Sequence, residues 1–208
     1  MKLDRAGYPF IAGALVPAAL LLAKRRTGLG WPLLGIAGFM AFFFRDPDRY
    51  PPQHPDMVVS PADGQVVAAG PGEPDVAPPG DWQQISIFLS PLDVHVNRVP
   101  FGGEVTRIAY TPGRFLPAYD DRAAKQNERT EMWVRDGDRI VVSRQVVGVL
   151  ARRIVCRAQV GDLLVAGERY GVMKFGSRMD VFVPAACQLL VRPGDRVRGG
   201  ESVIARWP

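Results

Sequence analysis

The chain has 208 residues, enough for one catalytic domain with an appendage and too few for two full-sized domains. Its formal charge of +5 suits a negatively charged partner, but the lysines and arginines are scattered rather than gathered into a basic run interleaved with aromatics, and the patterns of nucleic-acid-binding modules are missing. The charge balance therefore favours an anionic lipid surface over nucleic acid.

Gly7 to Ala23 (GYPFIAGALVPAALLLA) and Leu29 to Phe44 (LGWPLLGIAGFMAFFF) carry no charge. At 1.5 Å per residue each reaches roughly 25 Å, against a hydrocarbon core of about 30 Å. The connector Lys24-Arg25-Arg26-Thr27-Gly28 is cationic, and Lys2, Arg5, Arg45 and Arg49 flank the other ends, so the charges set no orientation. Residues 1–44 are thus expected to form a shallow, membrane-associated hydrophobic helical hairpin with both ends and the turn at head-group level, Tyr8 and Trp31 lying at the interface. The alternative is a buried hairpin of a soluble protein.

The stretch RDPDRYPPQHP is Pro-rich and charged, cannot continue a helix, and predicts a linker over 45–56. His54 within it reads as a solvated residue. From Met57 onward short β-branched runs (QVVAAG, ISIFLS, DVHVNRV, GEVTRIAY, EMWV, RIVVSRQVVGVLARRIVCR, DVFVP, SVIAR) alternate with Gly, Pro and Asp, the spacing of an antiparallel β sandwich or barrel over 57–208. Pro117 to Glu128 reads as an ordered loop or one short helix. Two Gly-Asp turns, at Gly161-Asp162 and Gly194-Asp195, each lead to a Gly-Glu pair and resemble the barrel-sandwich hybrid of lipoyl-type domains. The expected fold class is therefore mainly β with lipoyl-like features, preceded by the hairpin. No lysine occupies the hairpin context that lipoylation needs. Cys156 and Cys187 sit in apolar surroundings without zinc-ligand spacing and read as small buried side chains, and no metal-ligand cluster is apparent.

Met173-Lys174-Phe175-Gly176-Ser177-Arg178-Met179-Asp180 carries the most chemical information. An isolated Gly-Ser is an ordinary turn. Here it accompanies Ser60-Pro61-Ala62-Asp63-Gly64, Phe88-Leu89-Ser90-Pro91-Leu92-Asp93-Val94-His95-Val96-Asn97-Arg98-Val99-Pro100, Pro112-Gly113-Arg114-Phe115 and Asn127-Glu128-Arg129. In this order and spacing the stretches resemble phosphatidylserine decarboxylase proenzymes, in particular the short bacterial and archaeal type, from about Phe44 to the carboxyl end.

The resemblance implies a self-processing carboxy-lyase that converts phosphatidylserine to phosphatidylethanolamine and CO2 in phospholipid biosynthesis. It implies cleavage between Gly176 and Ser177 into chains 1–176 and 177–208, which stay together as a heterodimer open to further dimerisation. Ser177 becomes a pyruvoyl group that forms a Schiff base with the substrate amine, so neither a metal nor pyridoxal phosphate is required. Phosphatidylserine and an anionic membrane are the implied partners, with no nucleic acid, and the implied location is the cytoplasmic face of the cell membrane, peripheral or monotopic. A glycine before the serine suits the step, because it leaves the carbonyl open and tolerates strained backbone angles.

His95 occupies the position of the family's decarboxylation histidine; on an alternating strand it would share a face with Asn97 and Val99, with a structural role as the alternative. Asp63 matches the aspartate that supports the self-cleaving serine, although an Asp-Gly turn explains it equally without the family. The longer bacterial forms carry a second histidine three residues after the first, where this chain has Arg98, a poor general base. Either His95 serves both stages or Asp63 activates Ser177 without a histidine relay. Arg98 suits a substrate phosphate or carboxylate, and Arg114, Lys174 and Arg178 are further head-group candidates. Two other readings stand beside this one: a serine hydrolase using Ser177 and His95, which lacks a GxSxG elbow, and a non-catalytic membrane-tethered adaptor.

Overall fold

The computed structural model describes residues 2–118, 120, 122–149, 154–174 and 177–208. Backbone packing divides the chain into two units, Met1–Asp48 and Arg49–Pro208. In the first, β1 (Lys2–Leu3) pairs antiparallel with β2 (Arg45–Asp46), closing the base of a hairpin made of α1 (Tyr8–Ala23) and α2 (Thr27–Phe43). The helices approach through small residues: a Cβ at Gly30 would fall 2.6 Å from the Leu22 side chain, which only a glycine avoids. Buried positions are few and mostly small (Ala14, Ala18, Gly30, Ala37), while Val16, Leu20, Leu29, Trp31 and Ile36 are exposed. The first helical stretch is longer than the uncharged run suggests. The Asp4 carboxylate accepts the Ala6 N–H, capping a 3-10 turn over Arg5–Gly7 that feeds α1. The continuous stretch Arg5–Ala23 is 19 residues, long and apolar enough to cross a membrane. α2 is shorter.

The second unit is mainly β. An eight-stranded antiparallel sheet runs in the order β11 (Leu163–Leu164), β7 (Gly103–Thr111), β8 (Arg129–Asp136), β9 (Arg139–Val146), β13 (Ser177–Pro184), β5 (Trp82–Leu89), β4 (Gly64–Pro71) and β15 (Arg196–Val197). Two three-stranded sheets accompany it: β10 (Ile154–Cys156), β12 (Arg169–Met173) and β6 (Val96–Arg98); and β14 (Gln188–Leu189), β16 (Val203–Arg206) and β3 (Met57–Val59). The main core joins one face of the large sheet (Ile85, Ile87, Val105, Met132, Val141, Met179, Val181) to side chains of the small ones (Val58, Tyr170, Met173, Ile204). On the opposite face a smaller cluster holds Val76, Ala124, Val142 and Phe182, where α3 (Ala123–Gln126) supplies the short helix expected in that loop.

The two Gly-Asp turns are the same structure built twice. Gly161, at φ +93°, donates its N–H to the Val105 carbonyl, Val105 N donates to the Asp162 carbonyl, and the Asp162 carboxylate accepts the Gln159 N–H. Gly194, at φ +99°, does the same with Val66, whose N–H goes to the Asp195 carbonyl, while the Asp195 carboxylate accepts from Arg192 N. The correspondence extends to Pro61-Ala62-Asp63-Gly64-Gln65-Val66 and Pro100-Phe101-Gly102-Gly103-Glu104-Val105. Asp63 thus has Gly102 as its counterpart.

Three stretches differ from their sequence-based reading. The Pro-rich segment packs from Arg49 onward onto the β unit: Arg49 bonds Asp63 and Glu201, and Asp56 accepts from Arg139 and, through its carbonyl, from Trp207 N. Proline prevents a strand ladder there, but side-chain and carbonyl contacts need none. The long run from Arg139 is two strands, β9 and β10, rather than one. The strand expected around His95 begins only at Val96. Cys187 is buried and Cys156 half-buried; burial pushes the Cys187 thiol up to about 11.

Candidate active site

Ser177 opens β13 opposite Leu89, the last residue of β5. Side chains alternate along β13, so Ser177 shares the inward face with Met179, Val181 and Val183. It is fully buried, and its Oγ has no hydrogen-bond partner among the described residues. Leaving a buried hydroxyl unpaired costs about 1–3 kcal/mol. A cost without structural return points to a group retained for its reactivity. Gly176, and with it the Gly176–Ser177 bond, lies outside the described residues.

His95 closes the turn that leaves β5 and immediately precedes β6; its ring is wholly buried. Nδ1 stands 3.0 Å from the Asp93 carbonyl oxygen. A carbonyl only accepts, so Nδ1 carries a proton, and Nε2 is the ring nitrogen left to exchange one. The Asp93 carboxylate clamps this turn by accepting from Ser90 N and Ser90 Oγ, both at 2.8 Å, and by pairing with Arg196. The His95 carbonyl in turn accepts the N–H of Met173 at 3.1 Å. Met173 ends β12, and Ser177 follows four positions later. The Met173–His95 bond and the pairing of Ser177 with Leu89 therefore place His95 and Ser177 at the same end of the sheet.

Asp63 is engaged elsewhere. Its Oδ2 accepts from Arg49 Nη2 at 2.7 Å and its Oδ1 from Gly199 N at 2.7 Å, while Arg49 Nη1 also reaches Glu201 at 3.1 Å. No hydrogen bond joins Asp63 to Ser177 or His95 among the described residues. The repeated turn manages with Gly102 at the equivalent place, so the turn itself does not require an aspartate; the carboxylate serves Arg49 and the Gly199 N–H.

The candidate arginines separate clearly. Arg98 is buried: its backbone N–H bonds the Pro61 carbonyl at 2.8 Å and its Nη1 the Gly167 carbonyl at 2.9 Å, linking the histidine-bearing stretch to Ser60–Gly64. Arg114 is exposed, and its backbone pairs with Asn127. The two motifs around them are mutual partners: Arg114 N bonds Gln126 O, Glu128 N bonds Arg114 O, and the buried Asn127 amide reaches the carbonyls of Leu116 and Val147 at 2.8 Å each. Lys174 is half-buried. Arg178 lies on the face opposite Ser177, where its Nε pairs with Asp180 at 2.7 Å and its Nη2 donates to Ser86 Oγ at 2.8 Å. Both Arg178 and Asp180 are buried. Arg178→Leu leaves the Asp180 carboxylate alone in the interior, and a loss of about 3–5 kcal/mol is expected. Urea unfolding of the uncleaved Ser177→Ala chain with and without the second substitution measures it.

Sequence reasoning passed over Asp93, Asn97 and Gln145. A signal existed for the first: Ser-Pro-Leu-Asp after a strand is a turn in which the aspartate can bond back to the serine. For Asn97 and Gln145, 48 positions apart, no local signal exists. Among the described residues no group of three or more His, Cys, Asp or Glu could hold a metal ion.

The profile of the phosphatidylserine decarboxylase family matches residues 36–205. The chain is 48% identical over 205 residues to the phosphatidylserine decarboxylase proenzyme of Symbiobacterium thermophilum, covering 98% of this chain and 95% of that protein. It is 46% identical to the proenzyme of Saccharopolyspora erythraea, covering 96% and 86%, and 42% identical to that of Mycolicibacterium smegmatis, covering 96% and 87%.

Proposed function

From the premise that this chain belongs to the phosphatidylserine decarboxylase family and is a decarboxylase, we propose that it is a proenzyme that cuts itself between Gly176 and Ser177 and then converts phosphatidylserine to phosphatidylethanolamine and CO2 at a membrane surface. The observation that carries the proposal is the buried, unpartnered Ser177 hydroxyl at the start of β13, at the sheet end where His95 also stands.

Ser177 Oγ adds to the Gly176 carbonyl carbon, and the Gly176–Ser177 C–N bond breaks as the nitrogen takes a proton, leaving an ester. Elimination across Cα–Cβ releases the Gly176 carboxylate and leaves an enamine. Its imine tautomer consumes one water, releases ammonia and leaves a ketone, the pyruvoyl group. An orphaned serine hydroxyl fits a prosthetic group built from that serine. Once formed, the group supplies an electron sink for the breaking bond to the substrate carboxylate.

The chain's own residues do the remaining work. His95, with Nδ1 held by the Asp93 carbonyl, presents Nε2 as the acid–base atom that moves the proton at the substrate Cα. Asp63 supports self-cleavage through the Arg49–Gly199 tie that fixes the turn next to Arg98, rather than by contact with Ser177. Arg114, exposed on the loop that Asn127 anchors near Val147, meets the anionic head group. Arg98 and Arg178 are buried and hold backbone carbonyl, carboxylate and hydroxyl partners, so they serve the site by holding its walls.

After cleavage the two chains remain one molecule. β13 lies between β9 and β5, β15 pairs with β4, and β16 with β3, so the small chain is woven into both kinds of sheet. The apolar helices of the amino-terminal unit, with Trp31 and Leu20 exposed, support attachment to a membrane, and the reading places the enzyme at the cytoplasmic face. Mass spectrometry of the purified protein tests the reading: a 177–208 fragment is expected whose first residue is pyruvoyl, without a free amine. A single intact chain with full decarboxylase activity sinks it.

A further inference from the structure

The inward face of β9 carries polar side chains where an apolar core is expected. Ser143 Oγ stands 3.3 Å from Tyr170 OH, and two residues later Gln145 Nε2 donates to Asn97 Oδ1 at 2.8 Å, bridging the large sheet to β6. Asn97 is 0% exposed and Gln145 1%. The backbone makes room for this bridge: a Cβ at Gly171, the register partner of Asn97, would fall 2.8 Å from Gln145 Nε2.

The bridge satisfies only half of each amide. Asn97 Nδ2 and Gln145 Oε1 are buried without a hydrogen-bond partner among the described residues. Exchanging oxygen and nitrogen in both amides still leaves one donor and one acceptor unpaired. Two apolar side chains of the same shape would cost nothing of the kind, so packing does not explain the pair.

Its position does. Gln145 stands directly opposite Met179 on β13, and Ser177 is the next residue along the same face. Diagonal neighbours of this kind lie about 7–8 Å apart, within reach of a long side chain or of one small group between them. The Ser177 hydroxyl is itself unpaired. Two of the orphaned groups, on Gln145 and Ser177, thus occupy adjoining inward positions at the end of the sheet that His95 shares, and the third, on Asn97, is held against Gln145 from β6.

We propose that the Asn97–Gln145 amide pair is a catalytic pair for self-cleavage. Its acceptor takes the Ser177 O–H and turns the oxygen lone pair toward the Gly176 carbonyl carbon. Its donor holds the oxygen anion that forms as the Oγ–C bond is made and the carbonyl π electrons move onto oxygen. Collapse then breaks the C–N bond, and the serine proton ends on the departing nitrogen. The inference rests on the self-processing reading.

The double substitution Asn97→Leu with Gln145→Met replaces both amides by apolar groups of similar length. Placed in the uncleavable Ser177→Ala chain, it is expected to leave the thermal midpoint unchanged or raised. In the chain that retains Ser177, precursor disappearance after a translation pulse, followed on a denaturing gel, is expected to slow about 100-fold or more, the usual cost of an oxyanion donor. Hydroxylamine, which cleaves an accumulated ester, is expected not to restore the rate, because ester formation is the slowed step. Cleavage at the wild-type rate overturns the inference, as does restoration by hydroxylamine or slowing that merely follows a fallen midpoint. Should the double variant not fold, Gln145→Met alone is expected to slow cleavage at least about 10-fold, and a wild-type rate there overturns the inference equally. A wild-type chain that never cleaves overturns both the self-processing reading and this pair, whereas a cleaving wild type beside an equally fast variant removes the pair alone.

Discussion

A Ser177→Ala chain is expected to run as a single full-length band and to decarboxylate no phosphatidylserine. On the proposed self-processing mechanism the oxygen removed is both the nucleophile of self-cleavage and the atom whose elimination opens the way to the ketone, so both activities disappear together rather than in proportion. Folding is not at risk. The hydroxyl has no hydrogen-bond partner to lose among the described residues, and replacing an unpaired buried polar group by a methyl is neutral or stabilising. Circular dichroism and a thermal midpoint no lower than that of the cleaved wild type accompany the loss. Two fragments from the alanine variant would remove Ser177 from the chemistry, and an intact chain with activity would remove the self-processing reading altogether.

His95→Ala is expected to separate the two stages. Proton transfer by a positioned side chain contributes about 10²–10⁴-fold, so turnover falls by that order while a fraction of the precursor still cleaves. Cleavage survives because attack by Ser177 on the neighbouring peptide is intramolecular, and that proximity supplies most of the advantage. In the proposed mechanism the decarboxylation step has no such substitute, since the substrate is a separate molecule whose Cα must receive a proton. The alanine chain keeps the Asp93 clamp on Ser90 and Arg196. The turn therefore persists, and a loss of turnover with fragments still present reports on chemistry rather than on folding. Full turnover by the cleaved variant would exclude His95 from the reaction.

The motifs in the sequence turn out to be physical partners. Pro112–Phe115 and Asn127–Arg129 meet through Arg114 and Asn127, and Ser60–Gly64 meets the histidine stretch through the Arg98–Pro61 bond. Arg178 shows the limit of reading residues by charge. As a cation beside the proposed cut site it suggested a head-group contact, yet the period of two already puts it on the face away from Ser177 and beside Asp180. The strand boundary at His95 was less accessible. Its stretch alternates well enough for a strand, but the Asp93 carboxylate competes for the backbone N–H and Oγ of Ser90 and turns the chain before β6 begins.

Local chemistry decided what the sequence could determine alone: the uncharged helical hairpin, the β character after Met57, the repeated Gly-Asp turns and the position of Ser177 among its motifs. The first three follow from interactions within a few residues, namely side-chain period, turn conformation and the loss of helix at proline, whereas Ser177 stands out only through the resemblance of the ordered motifs to a known family. The tertiary structure alone decided which polar atoms were left without partners. Asn97 meets Gln145, Asp63 meets Arg49 and Gly199, and the Ser177 hydroxyl finds no hydrogen-bond partner among the described residues. Those outcomes depend on sheet order and register, where one strand placed differently would pair the same side chains with water or with one another.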